Sequence, residues 1–73
     1  MIKTETGQLI EVRDAFGNWL RRIALGPVDP GDEFAVVWAC REEEWEAAQA
    51  EGREPESVPW PIESVRVLDK VMA

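Results

Sequence analysis

Val58-Pro59-Trp60-Pro61-Ile62-Glu63-Ser64-Val65-Arg66-Val67-Leu68 places a tryptophan between two prolines just ahead of an alternating run. Each proline lacks a backbone N–H and biases the residue before it toward extended geometry, so regular pairing is expected only after Pro61. Val65 and Val67 then alternate with Ser64, Arg66 and Leu68, as in a half-buried terminal strand that pairs with the first strand and closes a barrel. Trp60, pinned ahead of that strand, is expected to plug one end.

Upstream, Arg41-Glu42-Glu43-Glu44-Trp45-Glu46-Ala47-Ala48-Gln49-Ala50-Glu51 favours helix, and Gly52 stands where a left-handed C-terminal cap belongs. Its apolar stripe is narrow, Trp45 and Ala48 three apart, so this helix of about residues 41–52 should dock by one tryptophan and leave its carboxylates in water. Phe34-Ala35-Val36-Val37-Trp38-Ala39-Cys40 is the most apolar run, with large and small residues alternating. Both faces are apolar, as in a central strand covered on each side, and the large set, Phe34, Val36 and Trp38, is expected to point into the core.

Gly26-Pro27-Val28-Asp29-Pro30-Gly31-Asp32 cannot continue a ladder, and Pro30-Gly31 suits the centre of a type II turn. Near the N-terminus, Gly7–Arg13 and Trp19–Leu25 alternate as two strands around Asp14-Ala15-Phe16-Gly17-Asn18, which carries hairpin-turn chemistry. In the first strand Ile10 and Val12 share a face with Gln8. In the second, Trp19, Arg21, Ile23 and Leu25 share one face, and Leu20, Arg22 and Ala24 the other.

At 73 residues this is one domain, residues 1–73, with a small core. Four tryptophans and two phenylalanines are expected to fill most of it. No apolar run reaches the length of a bilayer span, and the N-terminal residues lack the apolar stretch of a signal peptide, which predicts a cytoplasmic protein with no membrane partner. Net charge is −7, and all of the acidic excess lies beyond residue 25. That field repels phosphate backbones and argues against direct nucleic-acid binding.

The order of strands, and Pro61-Ile62-Glu63-Ser64-Val65 as a proline-initiated 3₁₀ turn leading into the last strand, resemble an SH3-like barrel. The resemblance implies a small barrel of four to five antiparallel strands, mainly β with one helix inserted before the last strand. It does not carry over the family's proline-peptide groove: the turn tyrosine would fall at Ser64, and the paired tryptophans that open a central strand are absent. The phrases Val12–Trp19 and Val36–Pro61 also resemble short proteins of actinobacterial phages and integrated elements, a context that names no reaction.

Enzyme chemistry has little support. The chain has no histidine and no tyrosine, and Cys40 lies in the most apolar run, where burial quiets a thiol. With a single cysteine and no histidine it lacks a zinc set, and Asp29-Pro30-Gly31-Asp32-Glu33 lacks the alternating spacing of a calcium loop, so neither metal nor cofactor is expected. The reading that remains is a non-enzymatic interaction module that binds a protein partner through Trp19, Trp60 and Trp45 and the acidic face of Glu42, Glu43 and Glu46. Self-association through an uncovered edge strand would give a homodimer. A different class is an acidic mimic, whose helix carboxylates imitate a phosphate track and block a basic site on another protein.

Overall fold

The computed structural model describes residues 2–71, with side chains through Leu68. Five strands and one helix follow in the order β1 (Gln8–Arg13), β2 (Trp19–Ala24), β3 (Val36–Cys40), α1 (Glu42–Glu51), β4 (Val58–Pro61) and β5 (Val65–Val71), with a 3₁₀ turn at Ile62–Ser64 between the last two strands. All pairings are antiparallel, and the strands lie in one sheet in the order β4-β3-β2-β1-β5. The mainly β class, the inserted helix, the 3₁₀ turn and the pairing of the last strand with the first agree with expectation. The closed barrel does not: among the described residues no ladder joins β4 to β5, so the sheet is open.

Pairing also begins earlier than the prolines suggest, because Val58–Pro61 is itself a strand. Its partners are Ala39↔Val58, Trp38↔Pro59, Val37↔Trp60 and Val36↔Pro61. Alternate residues of an antiparallel strand direct their amides to opposite sides. Pro59 and Pro61 have no amide to offer, so Val58 and Trp60 bond to β3 while the prolines take the outward positions; just beyond, the Ile62 N–H donates to the Ala35 carbonyl at 3.3 Å. The outer edge of β4 is thereby stripped of two donors, which prevents further pairing there, closure onto β5 included.

One face of the sheet buries Ile10, Val12, Ala24, Val37, Ala39 and Val65 in a single cluster, to which Ile2, Leu20, Val28, Trp60, Ile62 and Val67 add partial cover. These residues come from all five strands, with no second sheet above them, so the sheet curls over its own inner face. The other face buries Leu9, Ile23 and Cys40 beneath Trp45 of α1. The face assignments expected for β1 and β2 hold. That for β3 is reversed: Val37 and Ala39 point inward, while Trp38 is 41% and Phe34 57% exposed. The concave side has less room than the convex, and the opposed pair Ala24↔Ala39 needs small side chains where β2 and β3 approach over the core. The expectation of an aromatic-filled core fails too, because Phe16 and Phe34 fall on loops outside the strands. Phe16 sits on the hairpin loop at 90% exposure, and Trp45 is the one aromatic residue among the buried core.

Between Gln8 and Ile10 the register against β5 shifts. The buried Gln8 amide fills the irregularity by donating from Nε2 to the Leu68 carbonyl at 2.5 Å. The hairpin loop is held by Asp14, whose Oδ1 accepts from the Phe16 and Asn18 amides, each at 2.9 Å. Those bonds, chiefly the one from Asn18, lower the Asp14 pKa from its ordinary value.

Candidate interaction surface

The sequence-predicted aromatic residues occupy three different environments. Trp45 is 6% exposed and seats α1 on the outer face of the sheet, so it offers a partner little surface. Trp19 lies half-buried on the same face with the Arg66 guanidinium 4.0 Å from its ring centre and that of Arg13 at 5.8 Å. Arg66 is held in turn by Glu11, Nε to Oε1 at 2.7 Å. This indole is therefore already engaged by the protein's own cations. Trp60 lies half-buried against the inner cluster and borders a groove.

The predicted carboxylates also divide. Glu42 pairs with Arg21 at 3.2 Å. Glu43 and Glu46 are exposed and have no ion pair among the described residues. Glu44 acts as a staple: it pairs with Arg53 Nη1 at 2.5 Å and accepts the Glu56 amide at 2.8 Å, which ties the segment after α1 back to its first turn. The Arg53 hydrogen bond, seconded by that amide, lowers the Glu44 pKa to about 2. Because this carboxyl is depressed in the folded state, the staple contributes fully above the ordinary value of 4.5 and is lost as pH falls toward about 2. Glu44→Gln is expected to lower the protection of the Glu56 amide against hydrogen exchange at neutral pH, while wild type loses that protection, measured against the intrinsic rate at each pH, only on acidification through this window. Equal rates in the two proteins at neutral pH would show that the staple is not formed in solution.

The most exposed ring that belongs to a strand was not singled out in the sequence. Trp38 projects from the outer face of β3, opposite Pro59 of β4. Its indole Nε1 donates to Asp29 Oδ2 at 3.1 Å, while Asp29 Oδ1 accepts the Gly31 amide at 3.0 Å. The Asp29 backbone exchanges two hydrogen bonds with Val36, both at 2.8 Å, and so closes the loop of residues 30–35 that carries the exposed Phe34, Asp32 and Glu33. One aspartate thus fixes both the loop and the ring. Alternation alone could not reveal this, since it is symmetric between the two faces; the usable signal was the smallness of Ala39 and Ala24.

The groove beside Trp60 has a volume of about 740 Å³ and lies between the start of α1, the end of β3 and the segment leading into β4. Cys40 lines it but is buried, and desolvation, with Glu44 adding to it, pushes the thiol pKa up. Among the described residues no group of three or more Cys, Asp or Glu is placed to hold a metal ion, and no helix is long and apolar enough to cross a membrane. The chain matches no protein-family model, no curated protein and no solved structure.

Proposed function

We propose that this chain is a non-enzymatic protein-interaction module with an SH3-like fold, and that its contact surface is the outer face around Trp38. The strand order β4-β3-β2-β1-β5 and the 3₁₀ turn before β5 support the fold assignment. The observation that carries the function is the oriented, exposed Trp38 ring, held by Asp29 beside Pro59. An aromatic ring fixed before contact loses little freedom on binding, which is how tryptophan comes to dominate interface energetics. The rim, Asp29, Asp32 and Glu33, is acidic, and the whole chain carries −7. The partner is accordingly a protein segment with basic and apolar side chains.

The acidic-mimic reading has less support. Glu42, Glu44 and Glu51 already have arginine partners, which leaves Glu43 and Glu46 as a short track. For self-association, the prolines of β4 leave the β5 edge as the one open to a second copy.

Titration with peptides pairing arginine or lysine with leucine or proline, against acidic peptides of the same length, tests the reading. Trp38→Ala is expected to weaken basic-peptide binding about tenfold or more. It should cost about 1–2 kcal/mol of stability, from the covered part of the ring and the lost hydrogen bond to Asp29, and leave the domain folded. Equal binding by wild type and the variant, or a preference for the acidic peptides, would refute it.

A further inference from the structure

We propose that the groove beside Trp60 is a second site of opposite charge preference, which binds a small molecule consisting of a flat apolar ring bearing one carboxylate. Ile23 pairs with Cys40, so the next residues outward, Arg22 and Arg41, stand across from each other just beyond the β2–β3 ladder. Like charges directly opposite on neighbouring strands destabilise a sheet. Here neither of the two forms an ion pair among the described residues. Arg21, Arg53 and Arg66 each have a carboxylate partner, and Arg13 lies over Trp19. Among the described residues Arg22 and Arg41 have no carboxylate partner; Arg22 Nη1 donates to the Arg21 carbonyl at 2.6 Å. In a chain with 15 acidic and 8 basic residues, two guanidinium groups without an ion pair stand together at one cavity, where they balance the carboxylates of Glu44 and Glu56 in its lining.

Both arginines line the groove together with Trp60 and Val58. They also border a shallower depression beside Trp19, but that ring is already stacked under Arg66, so the open aromatic surface is on the Trp60 side. Guanidinium groups take a carboxylate through paired hydrogen bonds, and the half-buried indole gives a planar ring a face to stack on. Two further groups set the limit on ligand charge. Glu44 lines the groove but is committed to Arg53, whereas Glu56 has an exposed carboxylate on the wall formed by the segment before β4. That second carboxylate repels a dianion or a polyphosphate and leaves a monoanion as the fitting occupant. The volume of about 740 Å³ is within the usual range of small-molecule sites.

Calorimetric titration of the full chain with phenylacetate tests the proposal, with acetate, benzylamine and phthalate as comparisons. Saturable binding of phenylacetate is expected, with acetate, which lacks the ring, and phthalate, which adds a second charge, each weaker by about tenfold. Benzylamine, of opposite charge, should not bind. Arg41→Gln should cost about tenfold in phenylacetate affinity with a melting temperature no lower than wild type, since Arg41 is exposed and its removal relieves the repulsion from Arg22. Arg22→Gln should do the same, and if it fails to fold the exposed Arg41 still carries the test. Trp38→Ala, on the outer face, should bind phenylacetate as wild type does, so this site and the protein-binding surface succeed or fail separately. Absence of saturable phenylacetate binding, equal binding of benzylamine, or an undiminished affinity in Arg41→Gln would overturn it.

Discussion

Trp45→Ala is expected to detach α1 from the sheet and leave the domain largely unfolded. The helix has ten residues, no side-chain hydrogen bond at its N-terminal cap and no basic residue in its last turn. An isolated helix shorter than about 12–15 residues is marginal in water, so packing must hold this one. Two of its residues are buried, Trp45 and Ala48, and Trp45 alone joins the cluster with Leu9, Ile23 and Cys40. Truncating a buried tryptophan to alanine costs about 3–5 kcal/mol. A core of this size supplies about 3–5 kcal/mol in total, so the loss is comparable to the whole stability. Far-UV circular dichroism and urea unfolding would show the helical signal lost and the midpoint driven toward zero denaturant. A variant that kept the wild-type midpoint would show that the Glu44–Arg53 staple, and not the indole, retains the helix.

The same tryptophan shows what could be read in advance. Trp45 and Ala48 stand three apart among glutamates, and that spacing has one structural meaning, a helix docked by a narrow stripe. In β1 and β2 the sharing of faces was legible because it follows from alternation alone, which sets Ile10 and Val12 against Leu9 and Glu11, and Ile23 against Leu20 and Ala24. In β3 both faces are apolar, so alternation is preserved under exchange of inside and outside. Which set goes inward depends on curvature, a property of five strands together that no single segment encodes. Trp38 became a surface residue on that account, and with it the candidate site moved away from Trp45. The strand at Val58–Pro61 was hidden for a different reason: two prolines look like a barrier until the register shows that both lie on the side without a neighbour. Arg22 and Arg41, 19 positions apart in sequence, meet only through the Ile23↔Cys40 pairing.

Gly31→Ala is expected to destabilise the domain and to impair the Trp38 surface together. Gly31 has φ of +64°, in the left-handed region that side chains disfavour. A Cβ placed there would lie 2.4 Å from the Phe34 carbonyl oxygen, closer than any real contact, and that oxygen is backbone and cannot swing aside. Holding a non-glycine residue in such a conformation costs about 1–3 kcal/mol, and the clash adds to it by forcing the loop open. Gly17 supplies the control. It has φ of +84° with nothing within 4 Å of the added carbon, so Gly17→Ala carries the conformational cost without the collision. The two variants should therefore differ in stability, with Gly31→Ala the weaker. They should differ more sharply at the surface. Opening the loop of residues 30–35 breaks the Gly31 hydrogen bond to Asp29 and loosens the carboxylate that orients the Trp38 indole. Hydrogen exchange at the Trp38 indole N–H should then accelerate in Gly31→Ala and stay near wild type in Gly17→Ala, with peptide affinity following the same order. If the two alanine variants matched in stability, in indole exchange and in binding, Asp29 would not be the link between loop and ring, and the Trp38 surface would owe its orientation to the packing of β3 against β4 alone.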